Sequence, residues 1–241
     1  MNLRVSEIET QLKKLGKRKN VEGMARYGIV SRNVYGVSTK VLWKMSRRIG
    51  KDQKFSLELW KSGSFEARLL ALLVAEPARV TERQMERWVK DFDNWAVCDG
   101  CCLHLFRMTP WAHQKARQWS RRREEFVKRA GYVMIATLAV HDKQADDSAF
   151  RRYLADVVRG AKDERTYVKK AVNWALRQIG KRNLRLNKAA MRTGKRISAI
   201  DSPAARWIAS DALRELRSPA VQRRLQRATH RAKRKSNRRR S

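Results

Sequence analysis

Apolar residues recur at steps of three and four along most of the chain. Phe65, Leu69 and Leu72 follow this spacing, and no stretch shows sustained alternation of apolar and polar positions around a hairpin turn. The same period returns in two later segments, which contain Tyr132, Ile135, Ala136 and Ala139, and Val168, Val172, Ala175, Leu176 and Ile179. The pattern predicts an all-α protein with about ten to thirteen helices of ordinary length.

Capping and breaking residues divide the chain where this pattern needs boundaries. Pro110 follows one apolar segment, and Ser202 before Pro203 is typical of a helix start. The last part of the chain is rich in Lys and Arg and contains no acid, which predicts a frayed helix that passes into disorder. The predicted organisation is a folded domain over residues 1–220 and a basic tail over residues 221–241.

One segment of the chain repeats at a period of about 40 residues. Phe126-Val127-Lys128-Arg129-Ala130 is followed by Tyr167-Val168-Lys169-Lys170-Ala171, and Phe65-Glu66-Ala67-Arg68-Leu69 is a looser copy. Such a period of paired antiparallel helices is typical of HEAT-like and armadillo-type α-solenoids. Arg68, Arg129 and Lys170 would then form a ladder of cations on a concave basic surface, which suits a phosphate backbone.

The charge of the chain points to a polyanionic partner. Its 241 residues include 57 Lys or Arg and 23 Asp or Glu, for a formal net charge of +34. DNA or RNA is the first candidate and an anionic membrane the second. The basic residues are spread over the whole chain and do not line one amphipathic helix, which disfavours the membrane. A general bias of composition toward arginine is an alternative explanation.

The remaining compositional features exclude several classes of protein. No apolar run approaches the roughly 20 residues that a membrane helix needs, and the first residues lack an apolar signal core, so we expect a cytoplasmic protein. The three cysteines, Cys98, Cys101 and Cys102, are clustered and odd in number, which predicts no disulfide framework. They lack a second ligand pair at zinc-site spacing, and no metal site is predicted.

Trp95 and Asp99 are four residues apart, a spacing that places both side chains on one face of a helix. In a solenoid, the helices that carry Arg129 and Trp174 would be their neighbours, so the four side chains could converge. Two indoles, a carboxylate and a guanidinium could hold a cationic ring or a sugar against DNA, stabilise an oxocarbenium ion and fix a phosphate. This is the chemistry of N-glycosidic bond cleavage. From the spacing alone, core tryptophans and a surface Asp99 are the simpler interpretation.

Four stretches resemble the bacterial DNA alkylation repair glycosylases of the AlkD type, which are built from HEAT-like repeats. They are Met24-Ala25-Arg26-Tyr27, Asn94-Trp95-Ala96-Val97-Cys98-Asp99, Val127-Lys128-Arg129-Ala130 and Lys170-Ala171-Val172-Asn173-Trp174-Ala175-Leu176-Arg177. Their order and spacing match over about residues 20 to 220, and the last stretch is the most specific.

The resemblance implies an enzyme that hydrolyses the N-glycosidic bond of cationic alkylated purines, of the 3-methyladenine or 7-methylguanine type, in duplex DNA. By similarity, Asp99 would stabilise the sugar cation or position water. Trp95 and Trp174 would contact the sugar and backbone of the damaged nucleotide, and Arg129 would hold a phosphate. The other expected DNA-binding residues are Tyr27, Arg68, Lys128, Lys170, Arg177 and Lys181. The resemblance implies no metal and no organic cofactor, and we expect a monomer.

Ala96 departs from the family pattern, because many members carry Asp directly after the motif tryptophan. Some paralogues bind branched or structured DNA, or have no known base-excision activity. The alternative hypothesis is therefore a non-catalytic HEAT-like nucleic-acid-binding protein. A ribosome- or RNA-associated basic protein is a third hypothesis, and it gives Trp95 and Asp99 no role.

Overall fold

The computed structural model describes residues 4–31 and 33–237 of the chain, with side chains through residue 230. These residues form fourteen α-helices and two short 3₁₀ turns, and the described part of the chain contains no strand. The all-α prediction is confirmed, and the number of helices slightly exceeds the expected range. The helices form two compact units, residues 1–112 and residues 113–241.

The first unit contains seven of the helices. They are α1 Val5–Leu15, α2 Arg18–Arg26, α3 Thr39–Ile49, α4 Gln53–Ser62, α5 Phe65–Val74, α6 Glu82–Lys90 and α7 Trp95–His104, with 3₁₀ turns at Pro77–Arg79 and Phe106–Met108. Helix α4 packs against α5, and α5 also contacts α3 and α7. Helix α5 is therefore the central element of this unit, which explains why its residues are almost all apolar.

Side-chain caps fix where several helices of the first unit begin. Asp52 accepts a hydrogen bond from the Phe55 amide at 2.9 Å, and Thr81 accepts one from the Gln84 amide at 3.1 Å. Each cap satisfies one of the amides that have no partner inside the helix. Lys51 acts at the opposite end of α5, where its ammonium group donates to a carbonyl of the last turn, that of Leu73, at 2.7 Å.

Aromatic side chains form much of the core of the first unit. The rings of Trp60 and Trp88 are stacked with centroids 3.9 Å apart, and the Phe92 ring packs against Trp60. Phe106 lies against both Trp88 and Phe92. These four residues are at most 6% exposed, so Trp60 and Trp88 belong to the apolar interior of this unit.

The second unit contains the other seven helices. They are α8 Ala112–Trp119, which begins at the boundary between the units, α9 Glu125–His141, α10 Asp147–Gly160, α11 Thr166–Gly180, α12 Leu184–Ser198, α13 Pro203–Arg217 and α14 Pro219–Asn237. Helix α11 packs between α9 and α13, and these three form one layer. Helices α10 and α12 contact each other in a second layer, and α14 contacts both α13 and α12. The arrangement is a succession of helix pairs, as the repeat predicts.

The repeat detected in the sequence corresponds to a contact in space. The rings of Phe126 and Tyr167, which open the two copies, lie 5.4 Å apart between centroids. Helices α9 and α11 start with the residues just before these rings, so equivalent positions of successive repeats are adjacent. Gly131 allows the close packing of α8 on α9, because a Cβ there would lie 2.1 Å from the Ser120 amide nitrogen.

The C-terminal helices begin where the sequence predicts a helix start. Ser202 caps α13 by accepting from the Ala205 amide at 3.2 Å, with Pro203 in the first turn. Helix α14 then runs through residue 220 without interruption, and its Val221 and Leu225 are buried. The described part of the predicted tail is therefore helical, while its last four residues, 238–241, lie outside the described residues.

Candidate functional site

Trp95 and Asp99 lie on the outer part of α7. Asn94 caps this helix by accepting from the amides of Ala96 and Val97, each at 3.0 Å, so Trp95 is its first residue and Asp99 follows one turn later. Both side chains are half-buried, whereas the inward face of the helix carries the fully buried Val97 and the three cysteines. Neither Trp95 nor Asp99 is thus a core residue, and the two share one side of the helix.

Trp95 is held by the end of α2. Its indole nitrogen donates to the main-chain carbonyl of Tyr27 at 2.9 Å. Tyr27 follows the last residue of α2, and it is 77% exposed. Val30, three residues later, is also mostly exposed. Two of the motifs recognised in the sequence are therefore joined directly, with the Tyr27 ring open to solvent and the Trp95 indole fixed in orientation.

Arg68 lines a groove of the first unit together with Asp91 and Asp93, and its side chain is mostly enclosed. Its guanidinium group lies over the Trp60 ring, 5.5 Å from the centroid, and Nη1 donates to the carbonyl of Asp91 at 3.1 Å. The Asp93 carboxylate is 3.7 Å from the same nitrogen and accepts from the Ser31 hydroxyl at 2.7 Å. A DNA phosphate could reach Arg68 only by competing with these partners.

Arg129 is largely buried on α9. Only 6% of the residue is exposed, and Nη1 donates to the Tyr167 carbonyl at 2.7 Å. The predicted ladder of solvent-exposed cations is therefore corrected. Lys170 is exposed, but Arg129 and Arg68 are mostly enclosed, because each guanidinium group donates to a backbone carbonyl of a neighbouring segment. The predicted phosphate contact of Arg129 stays a prediction.

Lys128, beside Arg129 on α9, forms an ion pair with Asp163 at 2.8 Å. Arg165 contacts the same carboxylate at 2.7 Å. Partial burial would raise the pKa of Asp163, but the hydrogen bonds from Arg165 and Lys128 outweigh burial and lower the pKa to about 2. Lys128 is accordingly ion-paired within its own unit and shares the single Asp163 carboxylate with Arg165.

The other predicted residues of the second unit lie along α11. Arg177 contacts Asp211 at 3.0 Å and Glu215 at 2.6 Å, and Lys181 contacts Glu215 at 2.6 Å. The hydrogen bond from Asn173, followed by that from Arg177, lowers the pKa of Asp211. The carboxylates of α13 thus form ion pairs with Arg177 and Lys181, the two basic residues near the end of α11 that the sequence predicts to bind DNA.

Trp174 lies among these ion pairs and is half-buried. With the Gln178 amide oriented to satisfy both its oxygen and its nitrogen, that oxygen accepts from the Trp174 indole nitrogen at 3.0 Å and from Lys181 at 3.2 Å. Trp174 and Lys181 are therefore linked through Gln178. Trp95 and Asp99 belong to the first unit and Arg129 and Trp174 to the second, so the predicted convergence of all four stays a prediction.

One exposed aromatic residue was not singled out by the sequence. Trp207 is 41% exposed on α13, and the Lys169 ammonium lies 5.9 Å from its ring centroid. The signal that could have identified it is the Lys169-Lys170 pair one repeat earlier, because bases or sugars can stack on an indole that lies beside cations.

The cysteines make no site of their own. All three are buried thiols that form no disulfide within the described residues, and burial raises the pKa of the Cys101 thiol well above its usual range. Within the described residues, no group of three or more His, Cys, Asp or Glu side chains could hold a metal ion. None of the described helices combines the length and apolar character that crossing a membrane requires.

Comparison with solved structures identifies a similar fold. One protein, described as one of "a new family of proteins related to the HEAT-like repeat DNA glycosylases with affinity for branched DNA structures", matches with a TM-score of 0.74 and 19% identity over 88% of this chain and 95% of its own. A designed armadillo repeat protein matches 73% of this chain and 92% of its own at 16% identity, but its TM-score of 0.33 is too low to support an argument. No curated protein sequence matches significantly.

The sequence profile of one family spans most of the chain. This profile, described as DNA alkylation repair enzyme, matches residues 8–216 and so includes α7 and α11 with the residues described above. The paired helices of the two units and the HEAT-like structural relative agree with that assignment. The chain therefore belongs to the DNA alkylation repair enzyme family.

Proposed function

We propose that the protein is a DNA glycosylase that, as a monomer, removes cationic alkylated purines from duplex DNA. The observation that carries the proposal is the couple of Trp95 and Asp99 on α7. Asp99 presents a half-buried carboxylate one helical turn from an indole whose orientation is fixed by the Tyr27 carbonyl. Rigid placement of an aromatic face and a carboxylate on adjacent turns is what a sugar-directed reaction needs.

The proposed chemistry uses the charge that the lesion already carries. When the N-glycosidic bond of an N3- or N7-alkylated purine breaks, its electron pair neutralises the base and leaves positive charge on the sugar. A carboxylate near C1′ stabilises that oxocarbenium ion, and a water molecule then adds to C1′ and gives up a proton. The leaving base needs no proton, so one carboxylate is sufficient, and the Trp95 face can pack against the cationic nucleotide.

The proposal is tested by the release of free base. The full chain is incubated with duplex DNA that contains 7-methylguanine, and the released base is measured by chromatography. We expect release above a buffer control, and a loss on the order of 10²- to 10³-fold for Asp99→Asn. Asp201→Asn is a matched control, because it removes the same charge from a fully exposed site on the other unit. Wild-type release at the buffer level would refute the proposal.

A second candidate function is DNA binding without catalysis. The structural relative is described as having affinity for branched DNA structures, and Ala96 stands where many glycosylases of this type have an acid. This candidate predicts salt-sensitive binding to duplexes and four-way junctions, no base release, and equal binding by wild type and Asp99→Asn. Measuring binding and base release on the same samples separates the two functions.

A further inference from the structure

The cations of the second unit differ sharply in whether a carboxylate neutralises them. On the layer formed by α9, α11 and α13, Lys128 is paired with Asp163, and Arg177 and Lys181 are paired with Glu215. A phosphate that binds at these three cations must first displace an existing ion pair. Lys170 on the same layer is exposed, but a larger group of cations without such pairs lies elsewhere in the unit.

Helix α12 carries that charge. It contains five cations and no acid, namely Arg185, Lys188, Arg192, Lys195 and Arg196. At 3.6 residues per turn, the five side chains fall within an arc of about 100°. Ala190, Thr193 and Ile197, which are buried against the rest of the unit, occupy the opposite side of the helix. All the charge of α12 is thus on its solvent-facing side.

Arg217, from the last turn of α13, joins this surface. It lines a shallow groove together with Lys188, Met191, Arg192 and Lys195. We use the name α12 basic face for Lys188, Arg192, Lys195, Arg196 and Arg217. Within the part of the chain that the structure describes, none of these five cations has a carboxylate at ion-pair distance. Arg185, at the edge of the face, lies 3.7 Å from Asp147.

Helix α14 lies against α12 and brings further cations to this unit. Val221 and Leu225 are buried, and Gln222 Nε2 donates to Asn187 Oδ1 on α12 at 3.1 Å, which fixes α14 against α12. The exposed side of α14 adds Arg223, Arg224 and Arg227. No Asp or Glu follows Glu215 in the chain, so the charge of α14 has no acidic neighbour in sequence.

We infer that the α12 basic face is a second nucleic-acid-binding surface, which holds the backbone of undamaged duplex DNA. Unpaired cations release counterions from DNA without first losing an ion pair, and a polyanion relieves their mutual repulsion. Lys188 to Lys195 span about 10 Å along the helix, the rise of roughly three base pairs. The inference does not depend on base release at Asp99, because the two surfaces lie on different units.

The chemistry of the face favours DNA over a membrane surface. Helices that bind at a lipid interface bury large apolar side chains beside their basic residues. Among the described residues, the exposed large apolar side chains are Leu15, Tyr27, Val30, Trp43, Met108, Val140 and Trp207, and none of them lies on α12 or α14. A basic surface that carries no large exposed apolar side chain is typical of proteins that contact the phosphate backbone of a nucleic acid.

The test compares two triple variants of the full chain. Lys188→Gln/Arg192→Gln/Lys195→Gln removes the central row of the α12 basic face. Lys54→Gln/Arg87→Gln/Arg151→Gln is the matched control, because it removes the same charge from three exposed positions on α4, α6 and α10. Binding of an undamaged duplex is measured against salt concentration. We expect the slope of log K against log [salt] to fall by about 2 to 3 for the first variant and by less than about 1 for the control.

A bridging measurement shows whether the face acts as a separate surface. Protein bound to a bead-tethered duplex is washed and offered a second, fluorescent duplex. We expect wild type and the control variant to retain the second duplex and the α12 variant to lose most of it. Equal salt slopes for the two variants, or undiminished capture by the α12 variant, would overturn the inference. The inference would also be overturned if the α12 variant bound anionic lipid vesicles more weakly than wild type but bound DNA equally well.

Measuring base release in the same variants separates this inference from the proposed glycosylase function. If the α12 variant loses bridging but still releases 7-methylguanine at saturating concentration, the face is a binding surface independent of catalysis. If wild type releases no base and yet bridges two duplexes, the glycosylase proposal fails while the inference stands.

Discussion

The indole nitrogen of Trp95 donates a hydrogen bond to the main-chain carbonyl of Tyr27 at 2.9 Å, across 68 residues of sequence. This bond joins the first residue of α7 to the segment that follows α2, where Tyr27 and Val30 are exposed. A hydrogen bond of this kind contributes about 1 kcal/mol net. The orientation of Trp95 and the order of the exposed segment are therefore coupled.

Trp95→Phe tests this coupling, because it keeps an aromatic ring and removes the donor. We expect amide hydrogen exchange in the segment from Tyr27 to Ser31 to accelerate by about five- to tenfold. Trp43→Phe is the matched control, since the Trp43 indole contacts the His104 ring and its nitrogen makes no hydrogen bond within the described residues. Exchange that is unchanged by Trp95→Phe would show that the segment is held by other contacts.

The sequence predicted the fold well because its signals are local. The three- and four-residue period, the caps at Ser202 and Pro203 and the repeat at Phe126 and Tyr167 all depend on short-range rules, and all correspond to observed helices and contacts. The basic composition of the last segment predicted a frayed helix, and α14 extends to Asn237. The same composition did not reveal that Val221 and Leu225 would be buried.

Glu66 illustrates a long-range role that sequence patterns cannot indicate. It lies in the first turn of α5 and is fully buried. Its carboxylate accepts hydrogen bonds from the amides of Tyr35, Gly36 and Val37, the bond from Gly36 being 2.7 Å long. A buried carboxylate that satisfies three amides anchors the segment before α3, and those amides have no alternative partner if it is removed.

We expect Glu66→Gln to lower the free energy of unfolding by about 2 to 4 kcal/mol. Oε1 accepts from all three amides, and Oε2 accepts a second bond from the Tyr35 amide. An amide oxygen in the place of Oε1 lacks the negative charge that strengthens these bonds, and the NH₂ group in the place of Oε2 would face the Tyr35 amide donor. Urea denaturation followed by circular dichroism measures the change. Glu58→Gln, on the exposed side of α4, should change stability by less than about 0.5 kcal/mol. If the two variants lose equal stability, Glu66 is not the anchor.

Acid should weaken the contact of Lys128 and Arg165 with Asp163. The pKa of Asp163 is lowered from 3.8 to about 2, so its ionised form is favoured in the folded protein. The resulting stability is fully present above about pH 4 and is lost as the pH falls toward 2. Because Arg165 is partly exposed, we expect a contribution on the order of 1 kcal/mol.

Asp163→Asn isolates this contribution. The difference in unfolding free energy between wild type and the variant should be largest above pH 4 and should shrink toward pH 2. Urea titrations at several pH values measure it, with Asp201→Asn as the control whose difference stays small throughout. A wild-type advantage that is constant with pH would contradict an ionised Asp163 as its source.

The sequence predicted the residue types of the candidate site better than their surroundings. Trp95 and Asp99 lie on one outer side of α7, as their spacing requires. The motif could not reveal that Arg129 would be enclosed at Tyr167, or that Arg177 and Lys181 would meet carboxylates of α13 about 34 residues later in the chain. Those partners belong to the next repeat, so only the packing of successive helices brings them within reach.

Glu215 is the carboxylate that most strongly limits the availability of cations on α11. Its carboxylate contacts Arg177 Nε and Lys181 Nζ, both at 2.6 Å. Of these two cations, Arg177 also contacts the Asp211 carboxylate. Replacing Glu215 with Gln would release Lys181 and leave Arg177 paired with Asp211. Both cations would then be more available to a phosphate, at a stability cost of no more than about 1 kcal/mol because the pairs are partly exposed.

We therefore expect Glu215→Gln to bind duplex DNA more tightly than wild type, by roughly threefold or more at low salt, with a salt slope steeper by about 1. Fluorescence anisotropy over a series of salt concentrations measures both quantities. Glu58→Gln makes the same charge change on α4, where its carboxylate is exposed and has no ion-pair partner within the described residues, and should change the slope little. If the two variants tighten binding equally, only net charge matters. Weaker binding by Glu215→Gln would instead show that the ion pairs hold Arg177 and Lys181 in the orientation that DNA requires.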